Sequence, residues 1–195
     1  MKLNSNDIIL FSGDSITDGN RGRSMDCNHI MGHGFQYIIS SRLAFENSSA
    51  MPKFYNKGYS GATMGDLLSK WQEDVLDLKP SIVSILAGTN DGMYAFNNKM
   101  TVKQAAENYG KNLFEAVEMT RKNLPDTKII VCEPFYFPLN DKTTAFDYVP
   151  HPYCEENHGR PDVDESVEMI KFRIEADKYI RETAEKISEK EADIF

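Results

Sequence analysis

Short apolar runs and helically spaced apolar sets alternate along this chain. Ile8-Ile9-Leu10-Phe11 is followed at once by Ser12-Gly13-Asp14-Ser15; the run is too short for a helix and reads as a strand buried on both faces. Tyr37, Ile38 and Ile39, with Leu43 four further on, predict a helix from Phe35 through about Phe45, ended by Asn47-Ser48-Ser49. Lys53-Phe54-Tyr55-Asn56 predicts a second short strand. Leu67, Leu68, Trp71, Val75 and Leu76 then mark the buried side of one helix that starts near Thr63 and stops before Pro80. Ser81 to Ala87 reads as a third strand and Lys128 to Cys132 as a fourth. Between them, Val102, Ala105, Ala106, Tyr109, Leu113, Ala116, Val117 and Leu124 predict a helix capped by Thr101. Residues 136–162, rich in Pro, aromatics and His without a period, read as a long loop or lid. Val163, Val167, Ile170, Ile174, Ile180, Ala184 and Ile187 mark a long amphipathic helix, and Glu191-Ala192-Asp193-Ile194-Phe195 resembles the onset of a fifth strand.

Strands alternating with helices imply right-handed crossovers and an α/β fold of three layers, a parallel sheet with helices on both faces. The length of 195 residues suits one domain spanning 1–195. In such a sheet the turns after successive strands gather at one edge, where open α/β folds keep their ligands. Three of these turns are small and polar: Gly13-Asp14-Ser15-Ile16-Thr17, Gly58-Tyr59-Ser60-Gly61 and Gly88-Thr89-Asn90-Asp91. Ser15, Gly61 and Asn90, distant in sequence, are therefore expected to share one crevice.

Composition narrows the partners. A net charge of −8 argues against nucleic acid or an anionic membrane as partner, since both select for basic patches. The polar start Met1 to Asp7 carries no signal-peptide pattern, no run is long enough to span a bilayer, and the expectation is a cytoplasmic protein. Cys27, Cys132 and Cys154 are widely spaced with no CxxC pair, so no disulfide framework, zinc site or other cofactor is expected.

Taken singly, each turn has an ordinary reading: Gly-Asp-Ser as a capped turn, Gly61 as the glycine before a helix, Asn90 as a cap, with Asp14 and Asp91 bracing their own turns. Taken together and in this order, the three blocks resemble the SGNH, or GDSL-type, hydrolases, a family of esterases, lipases and acylhydrolases. Lys79-Pro80-Ser81 and Glu133-Pro134-Phe135 add to the likeness, which extends over nearly the whole chain. The resemblance implies a flavodoxin-like sheet in the order 2-1-3-4-5. It implies Ser15 as nucleophile toward an ester carbonyl, with an oxyanion hole formed by the backbone N–H groups of Ser15 and Gly61 and the side-chain amide of Asn90. The partner it implies is a small-molecule ester, a small acyl ester or an acetylated carbohydrate.

That family carries its base as an Asp and a His three residues apart after the fifth strand, and no such pair is present here. Asp147 to His151 is one residue too long in spacing and precedes the long helix, while His29, His33 and His158 read as loop residues. The expectation is a sheet in the order 2-1-3-4 with its fifth strand truncated or absent, and hydrolysis impaired by loss of the base. An uncovered fourth strand would in turn invite a homo-oligomer through that edge. The rival reading is a non-catalytic protein that binds a small ligand in the same crevice. A nucleotide or phosphate binder is disfavoured by the lack of GxxxxGK[ST] and GxGxxG.

Overall fold

A computed structural model describes residues 2–23, 29–135 and 167–191. Within them, the alternation of short apolar runs and helical periods resolves into four parallel strands and six α-helices. The expected loop at 136–162 and the strand onset after Glu191 lie outside the described residues. Strands β1 (Ile8–Gly13), β2 (Lys53–Gly58), β3 (Ile82–Leu86) and β4 (Lys128–Val131) form one sheet in the order β2-β1-β3-β4. Every pairing is parallel, as the crossovers require.

Successive side chains of a strand face opposite sides, so each strand feeds two cores. Leu10, Val83, Ile85 and Ile129 pack beneath α3 (Met64–Ser69), α5 (Val102–Asn123) and α6 (Val167–Glu191), around the buried Trp71, Tyr109, Leu113 and Ile180. Ile9, Phe11 and Ile82 face the other way, against Phe35 and Leu43 of α2 (Phe35–Glu46). The result is the three-layer arrangement expected from the alternation. Among the described residues no helix is long and apolar enough to cross a membrane.

Three local features differ from the sequence reading. The residues after Ser15 close a single helical turn, α1 (Ser15–Asp18), too short to leave a period in the sequence. Gly88 to Gly92, expected to be a turn, instead opens α4 (Thr89–Asn97), which packs against α5 and α6. Its glycine and asparagines weaken helix propensity, and tertiary packing overrides that weakness. The helix expected from Thr63 to Pro80 is divided: α3 ends at Ser69, and a π-helical turn at Gln72–Leu76 follows. There Asp77 N–H reaches the Gln72 carbonyl, so one residue is added to the turn and Asp74, Val75 and Leu76 all face inward. The predicted α2 forms, yet Tyr37, Ile38, Ile39 and Phe45 stay exposed while Gln36 and Ser40 are buried.

Candidate functional site

Register fixes where the three turns begin. Gly13, the last residue of β1, pairs with Gly58 on one side and Leu86 on the other. All three chains therefore leave the sheet at the same level, at the carboxyl ends of the strands. Backbone bonds tie the exits together: the Tyr59 N–H donates to the Gly13 carbonyl at 2.9 Å, and the Asp14 N–H to the Leu86 carbonyl at 3.2 Å.

The first turn is built for an outward serine. Asp14 is the N-cap of α1, its carboxylate accepting the Ile16 N–H at 2.9 Å, and the Asp18 N–H closes the turn onto the Asp14 carbonyl at 2.7 Å. Ser15 is the first helical residue, so its N–H has no carbonyl four residues back and stays available. Its side chain is exposed, and among the described residues its Oγ has no hydrogen-bond partner.

The second turn closes through the Ala62 N–H on the Tyr59 carbonyl at 3.0 Å. Gly61 sits in it at φ +82°, with open space where a side chain would project, and among the described residues its N–H makes no hydrogen bond. At Gly58 the constraint is proximity: an added Cβ would lie 2.3 Å from the Asp18 nitrogen.

The third turn grips the second from two consecutive residues. Asn90 donates its side-chain amide to the Ala62 carbonyl at 3.0 Å. That bond orients the NH2 group and leaves its second hydrogen free. Asp91 accepts the Met64 N–H at 3.1 Å, just where Thr63 and Asp66 form the capping box of α3. Asp14 thus braces its own turn as expected, whereas Asp91 reaches across to a neighbouring one. Arg21 closes the far side, both its Nε and Nη2 donating to the Gly58 carbonyl at 3.2 and 3.1 Å while its guanidinium lies 5.4 Å from the Tyr59 ring centre. Neither Asp91 nor Arg21 shows such a role in sequence, because both act on residues far along the chain.

Burial sets the electrostatics. It pushes the Asp14 carboxyl from 3.8 up to about 6, against the backbone bonds that favour its charge. It pushes Asp91 from 3.8 up to about 7, helped by the neighbouring charges of Asp14 and Asp66. Tyr59 is raised to about 12 by burial and by its bond to Asp74 at 2.7 Å. The three turns therefore enclose two carboxyl groups that resist ionisation.

His29 and His33, in the loop after α1, are exposed and bond each other at 3.1 Å. His151 and His158 lie outside the described residues. Among the described residues no group of three or more His, Cys, Asp or Glu could hold a metal ion.

The model of the GDSL-like lipase/acylhydrolase family matches residues 11–171. The chain belongs to that family. Other members and relatives are similar to this GDSL-like chain in different degrees. An acetylxylan esterase of Geobacillus stearothermophilus is 32% identical over 146 residues, which make up 73% of this chain and 66% of that enzyme. The chain thus spans just under two thirds of that relative's length. An uncharacterised lipoprotein, YqeF, of Bacillus subtilis is 33% identical over 79 residues, 40% of this chain and 32% of the lipoprotein. The solved structure of the Geobacillus esterase superposes with a TM-score of 0.69 at 27% identity, over 100% of this chain and 77% of the esterase. Solved structures of that esterase include catalytic mutants in which a serine, an aspartate or a histidine is replaced by alanine.

Proposed function

We propose that this GDSL-like protein is a serine ester hydrolase acting on a small acyl ester or an acetylated carbohydrate, with Ser15 as nucleophile. The observation that carries the reading is the shared register of the three turns, together with the Asn90 bond to Ala62 that fixes the third against the second. Ser15 Oγ attacks the ester carbonyl carbon as its proton passes to a base. The carbonyl oxygen becomes an oxyanion that takes hydrogen bonds from the Ser15 and Gly61 N–H groups and from the free hydrogen of the Asn90 amide. The intermediate collapses with loss of the alcohol, which carries the proton away, and water then cleaves the acyl-enzyme to free Ser15 and the acid.

Three neutral donors suit this task, because they stabilise developing negative charge without any need to ionise. Ser15 also needs an imidazole to take its proton, since a lone hydroxyl is a weak nucleophile near neutral pH. Among the described residues none is bonded to it, His29 and His33 being turned to each other. The Geobacillus relative supports the acetylated-carbohydrate class of substrate.

The test is labelling with a fluorophosphonate probe followed by peptide mapping, alongside hydrolysis of p-nitrophenyl acetate and of acetylated xylo-oligosaccharides. The expected adduct is on Ser15, and Ser15→Ala removes both adduct and hydrolysis. Hydrolysis that survives Ser15→Ala, or a label on another residue, would overturn the assignment. Acetylated sugar bound without label or turnover would favour a binding protein that keeps the same crevice.

A further inference from the structure

The loop that follows α1 carries a feature the hydrolase reading does not use. His29 Nδ1 and His33 Nε2 face each other at 3.1 Å, their rings 5.1 Å apart and tilted by 56°. Both side chains are exposed, where a single hydrogen bond contributes little to folding.

The backbone beneath them is nevertheless held firmly. The His29 carbonyl accepts both the Gly22 N–H at 2.8 Å and the Gly32 N–H at 2.9 Å. The His33 N–H donates to the carbonyl of Gly19, the residue that ends α1, at 2.8 Å. Gly32 is packed so closely against the Asp18 and Gly19 carbonyls that a Cβ would lie 2.4 and 2.8 Å from them. His29 itself is at φ +62°, a left-handed conformation uncommon for a residue with a side chain. These bonds and the packing at Gly32 fix the backbone from which the two imidazoles project, and the rings bring Nδ1 of one and Nε2 of the other within 3.1 Å.

Their separation fits a metal ion. Imidazole-to-metal bonds of about 2.0–2.1 Å, at angles between square-planar and tetrahedral, span about 2.9–3.4 Å from nitrogen to nitrogen. We propose that His29 and His33 form a two-histidine site for a divalent transition-metal ion of the zinc, nickel and copper class, braced against the turn that carries Ser15. Neutral imidazole is the ligand type these ions favour, and the exposed side of the pair leaves room for water in the remaining coordination positions. The nearby Arg21 and Arg23 are both committed to the Asp18 carboxylate, at 3.3 and 2.6 Å, and the chain as a whole carries −8, so a cation is not repelled from the molecule. Bound metal would replace one hydrogen bond by two coordinate bonds and join residues 29 and 33 through a single atom. This proposal does not depend on the hydrolase reading, and its test does not use activity.

The experiment is calorimetric titration of the full chain with Ni2+ and with Zn2+, paired with long-range 1H–15N spectra of the imidazoles. The expected result is saturable binding of one ion per chain with chemical-shift changes at His29 Nδ1 and His33 Nε2. His29→Ala and His33→Ala should each weaken binding by at least about tenfold, because one of two ligands is gone. The double substitution His151→Ala with His158→Ala should leave it unchanged. Absence of saturable binding, binding unaffected by either single substitution, or perturbation only of the opposite ring nitrogens would each overturn the proposal.

Discussion

The Asp91 carboxylate holds the Met64 N–H in both its oxygens, at 3.2 and 3.1 Å, so the first turn of α4 is latched to the first turn of α3. This bond spans 27 residues of sequence and lies beneath the turn that carries Gly61. It is made by a group that burial pushes up to about 7.

A stability experiment follows from that value. The folded protein keeps a proton on Asp91 that the unfolded chain has already released above its ordinary 3.8. Stability from this group is therefore fully present below pH ~4, declines as pH rises, and is lost above pH ~7. Asp91→Asn retains an oxygen for the Met64 N–H and removes the charge. The variant is expected to be more stable than the parent at pH 8 by on the order of a few kcal/mol, with the advantage fading toward pH 4. Urea denaturation at pH 4, 6 and 8 reads the difference, and a difference independent of pH would contradict the assignment.

Asn90 is expected to separate catalysis from folding. Asn90→Ala removes one bond to the Ala62 carbonyl, a loss of about 1 kcal/mol in stability. If the amide also steadies an oxyanion, turnover falls by roughly a hundredfold to a thousandfold. Asn90→Asp sets a carboxylate against the Ala62 carbonyl and against the developing negative charge, so it should be worse than alanine on both counts. Fluorophosphonate labelling rates and p-nitrophenyl acetate hydrolysis, compared with urea midpoints, distinguish the two effects. Equal activity in the parent and Asn90→Ala would remove Asn90 from the site.

Much of this arrangement is legible in the amino-acid sequence. The alternation of strands and helices, and the small polar turns at the strand ends, follow from runs such as Ile8 to Phe11 and Ser81 to Ala87, while the order of the strands is implied only by the family resemblance. What escapes is whatever depends on a distant partner. Thr89–Asn97 is helical because α5 and α6 pack against it, not because Asn90, Gly92 or Asn97 favour helix. The π-helical turn at Gln72–Leu76 brings Asp74 inward to meet Lys57 at 2.8 Å and Tyr59 at 2.7 Å, and no spacing within the helix announces those bonds. The exposure of Ile38 and Phe45 on α2 is equally silent, since periodicity identifies a helix without saying which face is covered.

The two glycines of the second turn should fail for different reasons. At Gly58 a methyl group would lie 2.3 Å from the Asp18 nitrogen and 2.7 Å from the Thr17 carbonyl carbon, both backbone atoms of α1. Gly58→Ala is expected to destabilise the protein by about 3 kcal/mol. At Gly61 the space is open and only the left-handed backbone objects, so Gly61→Ala should lose about 1 kcal/mol while displacing the N–H proposed for the oxyanion hole. Thermal melts and labelling rates measured together check this: the first variant loses mainly stability, the second mainly reactivity. The reverse pattern would place the functional N–H elsewhere.

Trp71, the single tryptophan, offers a clean measure of one buried hydrogen bond. It sits between α3 and the π-helical turn, almost fully buried, and its indole N–H donates to Thr120 Oγ1 at 2.9 Å. Thr120 in turn donates to the Ala116 carbonyl at 2.8 Å within α5, which orients the lone pair toward the indole. Thr120→Val keeps the shape of the side chain and leaves the indole donor without an acceptor in a dry interior. The expected cost is about 1–3 kcal/mol, the penalty for an unsatisfied buried donor rather than the net worth of the bond. Thr120→Ser keeps the acceptor and loses one methyl group, so it should cost about 1 kcal/mol. Urea denaturation followed by tryptophan fluorescence ranks the two. Valine less damaging than serine would mean that packing at this position outweighs the hydrogen bond.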